Sequence, residues 1–282
     1  MNALFVVDKP IFLSSNRTMN RIKRKYGTKK VGFSGTLDPF ATGCLIVATG
    51  QYTKLFQYLD KTPKTYRATL WLGAESNSLD IENIRSIREV PRVDEGRIRE
   101  ILASLEGELE YFPPKYSAKK IDGRRAYALM RGGGDVEMKR VRSTIHELTL
   151  LHYRHPFVTF EATVSEGTYI RSLGALISDS LGLPGTLSAL RRLREGRFRI
   201  GDETPLDPLD CLAPPRNRYF GDPEYLELGK KLQKRFFERQ ENGLYVVETP
   251  HFFSILEFHD EGITYRLNRM EKFRKEPHAF PS

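Results

Sequence analysis

The sequence V-G-F-S-G-T-L-D-P-F-A-T-G-C, residues 31–44, is the stretch around which the chain is organised. Asp38 is its one carboxylate, and no other acid occurs within residues 9–57. Pro39 follows Asp38 directly and disfavours helical backbone angles at the aspartate. Three glycines bracket the stretch, namely Gly32, Gly35 and Gly43. These residues predict a constrained loop with one acid at its apex, and such loops often carry chemistry. The ordinary alternative is an Asp-Pro turn in which Asp38 bonds its own backbone.

The composition limits the class of protein. The chain has 282 residues, of which 39% are hydrophobic and 29% charged. This length suits one large domain, or a domain with a small appendage. No apolar run approaches the roughly 20 residues that a membrane-spanning helix needs, and the N-terminus reads as a strand, not as a signal peptide. Cys44 and Cys211 form neither a metal-ligand pattern nor a disulfide framework. We therefore expect a cytoplasmic globular protein.

Positive charge is concentrated in two segments of the chain. The formal net charge is +9. Residues 1–60 contain six Lys, three Arg and three Asp, and residues 115–142 contain nine Lys or Arg and three acids. Each segment therefore carries +6, and the remaining residues sum to −3. Clustered positive charge is the expected footprint of a nucleic-acid-binding face, and the alternative is a solvated basic surface.

The hydrophobic patterns predict a mixture of strands and helices. Strands are expected at about 4–8, 44–49, 64–73, 139–153 and 157–164, and helices at about 16–26, 53–59, 95–105 and after 168. Ser14 or Ser15 is expected to cap the first helix, and Asp94 the helix over 95–105. Residues 205–216 are Pro-rich and read as a linker. The part of the chain beyond it contains a basic helix-like stretch and short strands.

Gly32 to Gly43 resembles the signature loop of the TruB-type tRNA pseudouridine synthases, G-H-T-G-x-L-D-P-x-A-T-G, with Phe33 at the usual His position. Other segments resemble family motifs in the same order over about 200 residues. They are D-K-P-I-F-L-S-S (8–15), K-T-Y-R (64–67), the acidic turn 75–82, P-P-K-Y-S-A-K-K-I-D-G-R-R-A-Y (113–127), V-S-E-G-T-Y-I-R-S-L (164–173) and T-L-S-A-L-R-R-L (186–193). Phe12 replaces a usual Gly and Glu166 a common Lys. The resemblance fades after about residue 205.

The resemblance implies roles for particular residues. Asp38 would be the catalytic residue and Arg171 its partner, and Tyr66 would pack on the target base as a further active-site residue. Tyr169, Leu190 and Phe33 would line or stack in the substrate pocket. Lys9 would contact a phosphate or stabilise the loop. A basic insertion at about 113–142 would clamp the RNA, through Lys119, Lys120, Arg124 and Arg125.

The resemblance also implies a fold. It is the α+β pseudouridine-synthase fold, with a long mixed, mainly antiparallel sheet flanked by helices and a central catalytic cleft. Residues 1–204 would form the catalytic domain. Residues 205–282 would be a linker and a small C-terminal appendage, for which a reduced form of the RNA-binding PUA domain is one interpretation.

The implied function is isomerisation of uridine to pseudouridine at position 55, in the T-loop of tRNA. The implied enzyme needs no cofactor and no metal, binds the T-arm of tRNA, requires no protein partner and is a monomer. Three alternatives remain open from the sequence. They are a subunit of an RNA-guided particle, a non-catalytic protein that binds or folds tRNA, and a nuclease.

Overall fold

The computed structural model describes residues 2–114, 138–201 and 203–273, together with the backbone of 120–121 and 124–125. Its helices are α1 (Ser15–Lys25), α2 (Glu95–Ser104), α3 (Ile170–Ser180) and the short α4 (Pro223–Glu227). The first strands are β1 (Ala3–Lys9), β2 (Val31–Ser34), β3 (Thr42–Thr49), β4 (Lys64–Leu72), β5 (Ala74–Ser76), β6 (Ile84–Ile87), β7 (Gly107–Tyr111), β8 (Lys120–Ile121) and β9 (Arg124–Arg125). They are followed by β10 (Val141–Arg154), β11 (Phe157–Val164), β12 (Gly185–Glu195), β13 (Phe198–Arg199), β14 (Gly243–Glu248), β15 (Phe252–His259) and β16 (Gly262–Glu271).

The described residues form a nine-stranded sheet in the order β1-β3-β12-β4-β11-β10-β7, with β2 paired to β3 and β13 to β12. Within these residues, β12 and β3 run parallel and the other pairs of this sheet run antiparallel. The parallel contact is short and joins Arg191 to Thr42 and Arg192 to Gly43. The predicted α+β fold with a mixed, mainly antiparallel sheet is thus confirmed.

Strand β1 is buried on both faces because two separate layers cover it. Phe5 and Val7 pack with Ile22 of α1 on one face. Leu4 and Val6 point to the other face and share a cluster with residues of the C-terminal sheet, including Phe253. Alternate side chains of a strand point to opposite faces, so a run of four apolar residues provides two apolar side chains to each layer. At the far end of the sheet, α2 and α3 cover β4, β10, β11 and β12.

The ends of the helices agree with the sequence analysis. The Ser14 side chain accepts a hydrogen bond from Arg17 N at 3.2 Å and so caps α1, and Asp94 caps α2 in the same way. Gly27 follows α1 with φ +58°, the left-handed conformation that glycine adopts readily. None of the helices in the described part of the chain has the length and apolar character needed to cross a membrane.

The helix predicted over 53–59 is wrong. The structure has a 3-10 helix over Gly50–Lys54, followed by turns. Gly50 adopts φ +58°, and Leu59 forms a bridge with Leu212. The backbone is therefore fixed at Gly50 and at Leu59, and the residues between them are too few for a stable α-helix.

The segment over 205–216 connects the large sheet to a three-stranded antiparallel sheet, β14-β15-β16. It packs on the large sheet along the way, because Leu206 N donates to Leu4 O at 2.7 Å and Cys211 is buried. The predicted basic helix-like stretch contains a 3-10 turn over Lys234–Phe236, and the single-turn helix α4 before it carries two Glu and no Lys or Arg. The predicted short strands correspond to β14 and β15.

Candidate active site

A cavity of about 280 Å³ lies where the loop between β2 and β3 meets the middle of the large sheet. Four parts of the chain line it: the loop, the start of β4, the turn before α3, and β12. Its lining residues include Asp38, Lys64, Tyr66, Thr168, Tyr169, Arg171, Leu190 and Arg192. Five residues that were singled out from the sequence, namely Asp38, Tyr66, Tyr169, Arg171 and Leu190, are thus brought together from positions far apart in the chain.

The loop that carries Asp38 is fixed by Phe12 and by Ser15, the first residue of α1. Ser15 Oγ accepts from Leu37 N at 3.0 Å and donates to Leu37 O at 3.2 Å. Phe12 N donates to Pro39 O at 2.7 Å. These bonds hold the backbone on both sides of Asp38, so the carboxylate is presented from a rigid loop.

Arg171 joins two carboxylates from different loops. Its Nε lies 3.0 Å from Asp38 Oδ2, and its NH1 nitrogen lies 3.1 Å from Asp80 Oδ2. NH1 also donates to Ser78 O at 2.7 Å. The pairing of Asp38 with Arg171 that the sequence predicts is therefore present. An Asp-Pro turn forms as well, because Ala41 N donates to Asp38 O at 3.1 Å, but the side chain of Asp38 contacts the guanidinium.

Asp80 is a site residue that the sequence analysis did not select. It is 2% exposed, and its Oδ1 accepts hydrogen bonds from Ser78 Oγ at 2.6 Å and Glu82 N at 3.0 Å. These bonds satisfy a buried carboxylate and orient its second oxygen towards Arg171. The available signal was its position in the acidic turn 75–82, although sequence alone does not distinguish the buried acid of that turn from its exposed neighbours.

The Asp38 carboxyl has a raised pKa. Burial raises it most, Arg171 opposes this effect, and the charge of Asp80 adds to it. The net effect is a raised pKa, because a carboxylate loses hydration when it is enclosed and the guanidinium offsets this only in part.

A second charged group lies under the cavity. Glu195 has no exposed surface, and its carboxylate lies 3.1 Å from Lys64 Nζ and 3.2 Å from Arg192 NH2. Arg192 also donates to Cys44 O and Gly35 O, at 2.7 and 2.8 Å. Burial lowers the pKa of Arg192, but the Tyr66 hydroxyl and Glu195 outweigh this effect and raise it. Arg192 therefore links β12, β3 and the loop, a role that its sequence position beside other arginines did not reveal.

Gly43 permits the parallel contact between β3 and β12. Its φ is +106°, and a Cβ placed on it would lie 2.2 Å from Arg192 O. That separation is far below any tolerated contact, so both the backbone angle and the spacing require glycine.

Lys9 and Phe33 are not among the residues that line the cavity. Lys9 Nζ is enclosed by carbonyl oxygens and donates to Leu13 O at 2.5 Å, Pro10 O at 2.9 Å and Pro39 O at 3.2 Å. The geometry therefore gives Lys9 the loop-stabilising role and not the phosphate contact. Burial lowers its pKa to about 8.

Phe33 packs against the cluster between β1, β3 and α1, where it is half-buried. Its backbone pairs with Val47 in the sheet. Glu166 replaces a Lys common in the motif and lies 3.4 Å from Lys61 and 3.7 Å from Lys64. Of the predicted RNA-binding residues, Lys119 lies outside the described residues. The backbone of Lys120, Arg124 and Arg125 forms the hairpin β8-β9, and their side chains lie outside the described part.

The fold is that of pseudouridine synthases. Two solved structures cover 99% of this chain: a Cbf5-Nop10-Gar1 complex (TM-score 0.65, 19% identity, 87% of that chain) and an archaeal box H/ACA sRNP Nop10-Cbf5 complex (TM-score 0.63, 21% identity, 88% of that chain). At these identities they show the fold alone. Within this class, the family model "TruB family pseudouridylate synthase (N terminal domain)" matches residues 23–170. The chain belongs to the TruB family.

Curated relatives match along almost the whole chain. A protein of Sulfurovum sp. is 62% identical over 98% of this chain and 100% of its own length. A protein of Sulfurimonas denitrificans is 50% identical over 96% of this chain and 100% of its own. Both are named tRNA pseudouridine synthase B. The family resemblance inferred from the motifs is therefore confirmed.

Proposed function

We propose that this protein isomerises uridine to pseudouridine at position 55, in the T-loop of tRNA. The observation that carries the proposal is the Asp38–Arg171 pair, 3.0 Å apart in the lining of the cavity. The names of the curated relatives support the same reaction and the same class of RNA.

The reaction breaks the N1–C1′ bond of uridine, turns the base and forms a C5–C1′ bond. A proton leaves C5 and N1 gains one, so the product is an isomer and no electrons are lost or gained. We assign Asp38 as the catalytic residue, which adds to the base or to the sugar or shields a cationic sugar centre. Arg171 orients the carboxylate, and Asp80 orients Arg171. Because the overall change needs no redox step, the proposal includes no cofactor.

The pocket suits one nucleotide at a time. A uridine inside a folded RNA loop must turn out of its stack to reach Asp38. The aromatic ring of Tyr66 offers a stacking surface, which contributes about 1–3 kcal/mol per base. Leu190 and Tyr169 complete the walls of the cavity. These side chains displace water, which would otherwise hydrolyse a reactive intermediate.

We assign catalysis to residues 1–204, with the basic insertion at about 113–142 as the clamp on the T-arm. Residues 205–282 form the C-terminal appendage and support the large sheet through the apolar cluster they share with β1 and β3. The protein acts as a monomer in the cytoplasm and needs no protein partner.

The test is to incubate the purified protein with an unmodified tRNA transcript in EDTA and to map pseudouridine along the RNA. The proposal expects conversion at position 55 without any added protein or guide RNA. Conversion only with a guide RNA and further proteins would indicate a subunit of an RNA-guided particle. Binding without conversion would indicate a tRNA-binding protein, and metal-dependent cleavage would indicate a nuclease.

A further inference from the structure

Ile11 and Phe12 form an exposed apolar turn beside the Asp38 loop. Their side chains are 46% and 61% exposed. The 2.7 Å bond from Phe12 N to Pro39 O places the backbone of Phe12 against the residue that follows Asp38. An RNA that presents one nucleotide to Asp38 therefore passes close to this turn.

The backbone at Phe12 adopts a conformation that favours glycine. Its φ is +61°, in the left-handed region, where a Cβ is sterically disfavoured. The motif that residues 8–15 resemble has glycine at this position, and the turn keeps the glycine-like conformation although phenylalanine occupies it. Burial does not account for the ring, because most of its surface is exposed. Strain of this kind is retained where the surrounding structure enforces it, and it often marks a functional position.

Exposed positive charge begins just after the turn and continues along α1. Arg17 lies in the first turn of α1, whereas Arg24, Lys29 and Lys30 lie at its far end or just after it. All four are exposed, and none of them forms an ion pair within the described ranges of the chain. Arg21 and Lys25, by contrast, lie 3.5 and 3.7 Å from Glu203. An exposed aromatic ring followed by exposed cations along a helix matches the two halves of a nucleotide, the flat base and the phosphate.

We propose that Phe12 stacks on an unpaired base of the RNA next to the nucleotide that enters the cavity. Phe12 is then a positioning residue that holds the opened loop of the RNA over Asp38. This inference rests on the proposed function and extends it, because it identifies a contact to a neighbouring nucleotide.

The experiment compares Phe12→Gly and Phe12→Trp with the wild-type protein. A control is Phe220→Ala, because Phe220 is similarly exposed but lies in the C-terminal region. We measure KM and kcat on tRNA, Kd for a T-arm stem-loop RNA, and Tm. Loss of one stacked base raises KM and Kd about tenfold in Phe12→Gly, while kcat changes less than about threefold. Phe12→Trp and Phe220→Ala stay within about twofold of wild type.

The Tm of the variants distinguishes a stacking role of Phe12 from a purely structural one. Glycine relieves the backbone strain, so the Tm of Phe12→Gly stays within about 2 °C of wild type or rises by about 2–4 °C. Wild-type KM and Kd in Phe12→Gly would overturn the inference, and so would an equal loss in Phe220→Ala or a loss that follows a fall in Tm. If the wild-type protein converts no uridine, the proposed function fails, whereas the Kd values of the same variants still decide the role of Phe12.

Discussion

Arg171 determines how the charges of the site are arranged. Asp38 lies on the loop before β3, and Asp80 lies on the turn after β5. A single guanidinium contacts both carboxylates and a backbone carbonyl through nitrogens that point in fixed directions. The position of Asp38 therefore depends on a buried guanidinium from another element as well as on its own loop.

Asp38→Asn should abolish isomerisation and leave tRNA affinity within a few-fold of wild type. The amide keeps the shape of the side chain but provides no anionic oxygen, whereas affinity rests mainly on phosphate contacts elsewhere. The measurement is single-turnover pseudouridine formation beside a Kd. Asp94→Asn is the control, because asparagine caps a helix as well as aspartate does. Turnover by Asp38→Asn at a tenth of the wild-type rate or more would remove Asp38 from its catalytic role.

Arg171→Lys should lower kcat by about 100-fold although the charge is kept. An ammonium acts as a point charge and cannot contact both carboxylates and Ser78 O as the planar guanidinium does. Hydrogen bonds to charged groups contribute about 1.5–3 kcal/mol each. The control is Arg99→Lys, because Arg99 pairs with Glu95 on the exposed face of α2. Unchanged kcat in Arg171→Lys would mean that the loop backbone alone orients Asp38.

The sequence selected five residues that the structure brings together at the cavity, but not the buried charged residues around them. Asp38, Tyr66 and Arg171 stand in distinctive motifs, so their positions could be matched to a family pattern. Asp80, Arg192 and Glu195 could not be selected in this way. They are acids and arginines among other acids and arginines, and their importance comes from burial and from partners distant in sequence. Lys9 was selected with two possible roles, and only the three enclosing carbonyls distinguish between them.

At the level of elements, the contact between β3 and β12 brings Arg192 under the loop of Asp38. It depends on a glycine, since the backbone of Arg192 approaches Gly43 more closely than a side chain would allow. The sequence indicated that Gly43 mattered to the loop. It did not indicate which strand approaches it, because the partner follows about 150 residues later.

Gly43→Ala should therefore destabilise the protein by about 3 kcal/mol or more, through backbone strain and a clash with Arg192 O. Gly27→Ala provides the matched control. Gly27 also has positive φ, but nothing lies within 4 Å of a Cβ placed on it, so only the backbone term of about 1 kcal/mol remains. Urea unfolding at equilibrium measures both values. Equal losses in the two variants would show that the close approach does not matter.

The basic insertion should make RNA binding strongly dependent on salt. Each phosphate contact adds about −0.7 to −0.9 to the slope of log K against log salt concentration. Charge reversal at Lys119, Lys120, Arg124 and Arg125 should make that slope shallower. Reversal of Arg97 and Arg99, which lie on α2, is the control and should leave the slope nearly unchanged. A slope that the insertion variant shares with wild type would mean that these four side chains face solvent.

Seven of the sixteen described strands, among them β1, β4 and β10, were predictable from alternation or from short apolar runs, and α1, α2 and α3 from their caps and apolar stripes. Strand β12, in the middle of the large sheet, was not predicted as a strand. The 3-10 helix at Gly50–Lys54 was not predictable, because a bridge from Leu59 to the distant Leu212 limits the space for a helix. The local sequence pattern indicates which faces of an element are apolar, whereas tertiary contacts determine the type and length of an element as short as this 3-10 helix.

For the whole molecule, the two-sided burial of β1 means that the C-terminal sheet completes the fold. Leu4 and Val6 share an apolar cluster with Val246, Phe253 and Ile255. The sequence predicted an appendage but not the surface on which it lies. The apolar residues of β1 indicate that both faces of the strand are buried, but not which part of the chain covers each face.

The parallel pairing of Gly43 with Arg192 also means that the parts of the site are synthesised at different times. During synthesis Asp38 leaves the ribosome early, whereas Arg171 and Arg192 follow after more than 130 further residues. At about 5–20 residues per second, the loop of Asp38 is without either arginine for on the order of ten seconds. Ribosome-bound chains arrested before β12 should therefore form no pseudouridine on added tRNA, whereas a full-length chain released from the ribosome should. Pseudouridine formation by the arrested chains would show that the loop assembles without its later partners. If the arrested chains form none, a growing chain becomes active only after well over half of it has been synthesised.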